Sequence, residues 1–137
     1  TERLRLKEVN TLYQISQEVV TTNDVNLILR QLTSVLQKNI GYYHVHVYLF
    51  DTERSKLIMQ EGSGAVGEQL KSLDHQLDSN TGIVGYVAKK GEPFLTNDVS
   101  SVPFYVENPL LPETVAEMAV PLDARDETIG VLDIQHR

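Results

Sequence analysis

The hydrophobic repeat of this chain changes period once, and that change sets its fold class. Leu6, Val9, Leu12, Ile15 and Val19 recur in steps of three and four, one face of a helix over residues 4–20. Asn23 or Asp24 can cap a second helix, where Val25, Ile28, Leu32, Val35 and Leu36 repeat the stripe until Gly41 ends it. From residue 44 the period is two. His44-Val45-His46-Val47-Tyr48-Leu49-Phe50 alternates and is rich in β-branched and aromatic residues, so it reads as a strand.

The rest of the chain keeps this second texture. Residues 51–55 form a polar turn, and Lys56 to Gln60 returns as the partner strand of a hairpin. A glycine-bearing loop runs from Gly62 to Gly67, and Leu70, Leu73 and Leu77 then line a short helix. Thr81 caps a further helix from Gly82 to Lys90, closed by Gly91-Glu92-Pro93. Phe94 to Thr96 is a brief strand, Asn97 to Pro112 a long loop, and Ala116–Leu122 and Thr128–Gln135 a final pair of strands. Hairpin connections predict an α+β fold, a central antiparallel sheet with helices on both sides. All 137 residues fit one domain, with helices over 1–41 and the sheet, short helices and loops over 42–137.

Composition removes several function classes. Twelve Lys and Arg against 19 Asp and Glu give a net charge of −7, which opposes contact with nucleic acid or anionic lipid. With no cysteine, disulfides, cysteine–zinc sites, iron–sulfur clusters, thiol nucleophiles and thioether-linked chromophores are excluded. No apolar stretch approaches the roughly 20 residues that span a bilayer. The chain opens at Thr1, which reads as a piece of a longer protein.

Few motifs carry chemistry. Gly62-Ser63-Gly64-Ala65-Val66-Gly67 matches the dinucleotide-binding string, but that mechanism needs a helix opening on the third glycine and a parallel strand beyond. A flexible turn accounts for it better. His44-x-His46 puts two imidazoles on one strand face, a spacing metal sites use with further ligands such as Glu117 or Asp133. The plainer reading is a mixed polar and aromatic face shared with Tyr48 and Phe50, opposite the aliphatic Val45, Val47 and Leu49. Ser63 lacks the spacing of a nucleophile elbow. Asp51, Asp98, Asp123, Asp126 and Asp133 read as strand-end or turn carboxylates in solvent.

Two features are less ordinary. Thr81-Gly82-Ile83-Val84-Gly85 opens a helix with small residues, and such an end can accept an anion or serve close helix–sheet packing. The loop beyond holds Asn97-Asp98, Phe104, Tyr105, Glu107 and Asn108, and loops of this length are often functional.

At these residues the chain resembles the GAF domains of signalling proteins. The matching stretches run in order. They are residues 42–51, Gly82-Ile83-Val84-Gly85-Tyr86-Val87-Ala88, Gly91-Glu92-Pro93, Asn97-Asp98-Val99, Leu111-Pro112-Glu113-Thr114, residues 117–122 and 129–134. The resemblance implies a sheet between a helical face and a ligand-accommodating side of short helices and loops. It also implies a cytoplasmic sensory module without enzymatic activity, covalently linked to an output domain such as a histidine kinase. Relatives variously bind cyclic nucleotides, bilins, haem or small metabolites, so the resemblance names no cofactor.

Departures from the family narrow this. Without cysteine, the thiol chemistry of GAF-like methionine sulfoxide reductases and cysteine-anchored bilins are excluded. The asparagine-lysine-phenylalanine-aspartate signature of cyclic-nucleotide binders is missing. Thr114-Val115-Ala116-Glu117 stands where many relatives read threonine-arginine-serine-glutamate. The family's usual C-terminal helix does not follow Arg137, so the stripe on the first helix is expected to pair with a second copy as a homodimer. The expected small-molecule pocket takes His46, Tyr48, Phe50, Tyr86, Asp98, Phe104, Tyr105 and Glu117 as its residues. The competing reading is a ligand-free dimerisation or spacer domain.

Overall fold

A computed structural model describes residues 44–124 and 126–137. The two opening helices and the pairing through the first of them fall outside these residues. Six strands form one sheet: β1 (His44–Phe50), β2 (Lys56–Gly62), β3 (Gln76–Asp78), β4 (Phe94–Thr96), β5 (Ala116–Ala124) and β6 (Glu127–His136). Their order is β3-β2-β1-β6-β5-β4, and every neighbouring pair is antiparallel. Helix α1 (Gly64–Ser72) lies between β2 and β3, and α2 (Gly82–Lys90) between β3 and β4. A 3-10 turn at Val99–Ser101 opens the long loop.

Local chemistry sets the connections. The β1–β2 turn closes on Asp51, whose Oδ1 accepts the Ser55 N–H at 2.9 Å and the Lys56 N–H at 3.2 Å. Arg54 completes the turn at φ 58° and lays its guanidinium 4.0 Å from the Phe50 ring centre. Helix α2 stops at Gly91, which takes the left-handed conformation at φ 69° and donates its N–H to Val87 O at 2.8 Å.

The sheet has two different faces, because pairing puts cross-strand partners on the same side. Val45, Ile134 and Met118 stand in one row across β1, β6 and β5, as do Val47, Leu132 and Val120; all six are fully buried. The other face carries Tyr48, Leu57, Met59, Ala119 and Val131 under Leu70 of α1 and Ile83, Val84, Val87 and Ala88 of α2. Each large aliphatic side chain buried here contributes about 1.5–3 kcal/mol.

The segment after β2 departs from the sequence reading. It is not an open glycine turn: α1 starts at Gly64, inside the string, and ends before Leu77, which sits in β3. The cause is a helix crossing its own strand at contact distance. A Cβ on Gly67 would lie 2.1 Å from the carbonyl carbon and oxygen of Gly62. The string serves close packing, and the strand that follows is antiparallel, so the phosphate-cradling geometry is not built.

Candidate functional site

Between the mixed face of the sheet, the two helices and residues 106–110 lies a cavity of about 280 Å³. That is at the lower edge of small-molecule sites. Its walls are apolar, with Leu70, Leu73, Leu77, Ile83, Val84, Val106 and Leu110 among them. Three of its polar groups cluster on the sheet, Glu117 on β5 with Asp133 and Gln135 on β6, and Tyr48, His75, Thr81, Glu107 and Asn108 line it elsewhere. The ladders explain the cluster. Gln135 pairs with Glu117 on one side and His44 on the other, while Asp133 pairs with Ala119 and His46.

Asp133 and Glu117 are 1% and 4% exposed, so two carboxyls share a site nearly without water. Burial pushes Glu117 well above the usual carboxylate range, and the neighbouring Asp133 charge and hydrogen bond push it further. Asp133 is also raised by burial, opposed by hydrogen bonds with Glu117 and Gln135. Two adjacent buried carboxyls cannot both ionise cheaply, so the arrangement favours a proton shared between them. A chain of hydrogen bonds orients the pair. Thr114 Oγ1 donates to Gln135 Oε1 at 2.6 Å, turning the amide so that Nε2 donates to Asp133 Oδ2 at 3.0 Å. Asp133 Oδ1 is buried with no hydrogen-bond partner.

An imidazole and phenol row borders the pair. His44 and His46 have ring centres 4.3 Å apart, and Tyr48 Oη lies 3.1 Å from His75 Nε2 and 3.5 Å from His46 Nδ1. Burial drives His44 down to about 4, against an opposing backbone hydrogen bond at Ser63. His46 falls well below its ordinary value through burial and then through His44 and His75, and burial lowers His75 as well. These rings are neutral at pH 7. Tyr48 is raised well above its ordinary value by burial and then by the Asp133 and Glu117 charges, so it stays a hydroxyl. Among the described residues, no group of three or more His, Asp or Glu is arranged to hold a metal ion.

The start of α2 also lines the cavity. Thr81, Gly82, Ile83 and Val84 line the wall, and Thr81 makes no side-chain cap. The first-turn N–H groups of a helix have no acceptor within it, and they carry the positive end of its dipole.

Of the eight residues expected in a pocket, Tyr48 and Glu117 line this cavity. His46 is buried behind Tyr48, and Tyr105 packs at the margin, where burial and then Glu117 raise its hydroxyl to about 12. Phe50 lies under Arg54, and Asp98 caps the 3-10 turn by accepting the Ser100 N–H at 3.0 Å. Tyr86 and Phe104 stack on each other outside the cavity, 4.7 Å apart and 12° from parallel, with Phe94 across their edges. Ser63 accepts the Val45 N–H at 2.9 Å and is structural.

Asp133 is a correction. It reads as a solvated strand-end carboxylate, yet lies within β6, 1% exposed, on the cavity floor. Gln135 and His75 are also absent from the site expected from the sequence, whereas Glu107 and Asn108 of the long loop noted there do line the cavity. One signal was available: in Val131-x-Asp133-x-Gln135 the alternate positions of an otherwise apolar strand turn polar.

No curated protein matches the chain significantly. Solved structures do. The GAF domain of a phosphoenolpyruvate-protein phosphotransferase from Coxiella burnetii is 22% identical with a TM-score of 0.73, covering 93% of this chain and 76% of that one. A free methionine-R-sulfoxide reductase from Neisseria meningitidis, solved with its substrate, is 26% identical with a TM-score of 0.73, covering 95% of this chain and 72% of that one. Residues 122 to 287 of a methyl-accepting chemotaxis protein are 23% identical with a TM-score of 0.71, covering 90% and 79%. Among the described residues, no helix is long and apolar enough to cross a membrane. The sequence profile of the GAF domain matches residues 22–137, and the chain belongs to the GAF domain family.

Proposed function

We propose that this GAF domain is a regulatory module of a cytoplasmic signalling protein, and that it binds a small molecule in the cavity over Glu117 and Asp133. The observation that carries the reading is the buried carboxyl pair. Burying two acids in an apolar pocket lowers stability unless they are neutralised or paired. Structural cores rarely hold such a group, whereas ligand sites use a few polar groups in an apolar cleft to fix orientation. The phosphotransferase and chemotaxis neighbours support a signalling context. The reductase neighbour acts on its substrate, but this chain has no thiol, and the reading is binding without turnover.

Ligand occupancy then biases the arrangement of residues 106–110 against α2, and the bias passes through β5 and β6 to the rest of the protein. The test is a melting-temperature screen of the purified chain against small metabolites, repeated on Glu117→Gln. A ligand at 100 times its Kd stabilises by about 2.7 kcal/mol, a rise of several degrees. A compound that does this for the natural chain and not for the variant supports the reading. A screen without any such compound supports the ligand-free spacer instead.

A further inference from the structure

We infer that the outer side of α2 is a pairing surface for a second copy of this chain, with the two α2 helices antiparallel across a two-fold axis at Tyr86 and Phe104. This surface is separate from the stripe of residues 4–20, and the inference does not depend on the cavity being occupied.

Exposed apolar side chains gather on this side. Among the described residues five large apolar side chains stand exposed, and three of them, Tyr86, Phe104 and Val106, lie along α2. Gly82, Tyr86 and Lys90 are spaced four apart and follow one line down the helix. Val106 sits over Gly82, where a Cβ added to the glycine would lie 3.6 Å from the valine Cβ. Phe104 stacks on Tyr86 with ring centres 4.7 Å apart, and Phe94 closes the group from the side. An exposed apolar patch edged by charge marks an interaction surface, and aromatic rings are enriched at the centre of such surfaces.

The charges name the occupant. Among the described residues, Arg54, Lys56, Lys71 and Arg137 each meet an acid of the same chain, whereas Lys89 and Lys90 form no ion pair. These two lysines stand exposed in the last turn of α2, at one end of the strip. At the other end, next to Val106, Glu107 is exposed and also outside every ion pair of the described residues. Eight residues separate Gly82 from Lys90, about 12 Å along the helix. The strip is therefore acidic at one end and basic at the other, with the stacked rings midway.

A two-fold axis through the rings brings Lys90 of each copy to Glu107 of the other and sets the two helix dipoles antiparallel. A net charge of −7 repels two copies over most of their surface, so a face with two unpaired lysines is where they can approach. Exposed ion pairs add little affinity; here they fix the register while the rings supply the contact. One nine-residue helix and three exposed side chains cover less than the about 800 Å² per partner of a stable interface, so the pairing is weak and reversible.

Sedimentation equilibrium of the purified chain over a hundredfold concentration range tests this, with Lys90→Glu, Glu107→Lys and an equimolar mixture of the two variants. Both positions are exposed, so melting curves should match the natural chain and any loss is a loss of pairing. The natural chain should dimerise reversibly. Each variant alone should associate at least tenfold more weakly, because two-fold symmetry turns one substitution into two like-charge contacts. In a mixed dimer the Lys90→Glu copy and the Glu107→Lys copy regain opposite charges at both contacts, so the mixture should associate within threefold of the natural chain. Pairing through any other surface, the stripe of residues 4–20 included, would neither weaken in the variants nor recover on mixing. A natural chain that stays monomeric throughout overturns the inference. So does a dimer that either variant forms as well as the natural chain, or one that both weaken and mixing does not restore.

Discussion

Glu117 and Asp133 are diagonal neighbours across the β5–β6 ladder, because Glu117 pairs with Gln135 while Asp133 pairs with Ala119. Diagonal positions on one sheet face are within reach of long side chains, and here the two that meet are both acids and both buried. Next to them on the same face, Ala119 and Val131 are apolar. Among the described residues, no Lys or Arg lines the cavity beside them to neutralise the pair, and burial lowers His75, which does line it. A site arranged in this way stores a preference for a positive donor.

The pair makes stability depend on pH in a direction opposite to ordinary carboxylates. A raised folded pKa means that the native state holds its proton more tightly than the unfolded chain. Its contribution is therefore greatest below the unfolded Glu value of 4.5 and is lost as pH rises from there through the folded value. Glu117→Gln removes one ionisable group while keeping shape. Urea unfolding at pH 5 and pH 8 should show the variant gaining on the natural chain at the higher pH. A difference between the two proteins that is the same at both pH values counts against the shared proton.

The histidine row predicts an acid limit. His44 titrates near 6.5 in the unfolded chain and near 4 when folded, so the unfolded state gains the proton first. Stability from this group is complete above pH 6.5 and is lost as pH falls towards about 4. Between pH 8 and pH 5 the loss is on the order of 1–2 kcal/mol, the upper figure being the unscreened shift. His44→Leu should flatten this part of the profile. Equal acid sensitivity of both proteins would assign it to other groups.

Much of this architecture is legible in the residues, and the exceptions have physical causes. The alternation of β1 and the Thr81 and Gly91-Glu92-Pro93 boundaries of α2 are local signals, and the strand and helix form where they stand. Asp133 was hidden because its partner is Glu117, 16 positions away, and only register brings them together. Tyr86 was over-read. The buried stripe of α2 is Ile83, Val84, Val87 and Ala88, and a helix with that stripe turns residue 86 outward. Helical phase, not aromatic character, decides that this ring lies outside the cavity.

The crossing of α1 over β2 should be among the least tolerant places in the domain. A methyl on Gly67 meets the Gly62 carbonyl at 2.1 Å, backbone against backbone, with no side chain able to yield. Gly67→Ala must push the helix off the strand, taking Leu70 from its packing against the core. The expected cost is about 3 kcal/mol or more, at the upper end for overpacking. A melting temperature within one or two degrees of the natural chain would contradict this contact.

The outer aromatic group separates packing from binding. Tyr86 stacks on Phe104 and meets the edge of Phe94 at 5.4 Å, while its ring is 38% exposed and no part of it lines the cavity. Tyr86→Ala therefore loses aromatic contact of about 1 kcal/mol on the outside of α2, without changing the helix start or the acid pair. Its melting temperature should fall by a few degrees, and its affinity for any ligand lost on Glu117→Gln should stay within twofold of the natural chain. A tenfold loss of affinity in Tyr86→Ala would move the site from the cavity to the exposed rings, and the roles assigned to Glu117 and Asp133 would have to be withdrawn.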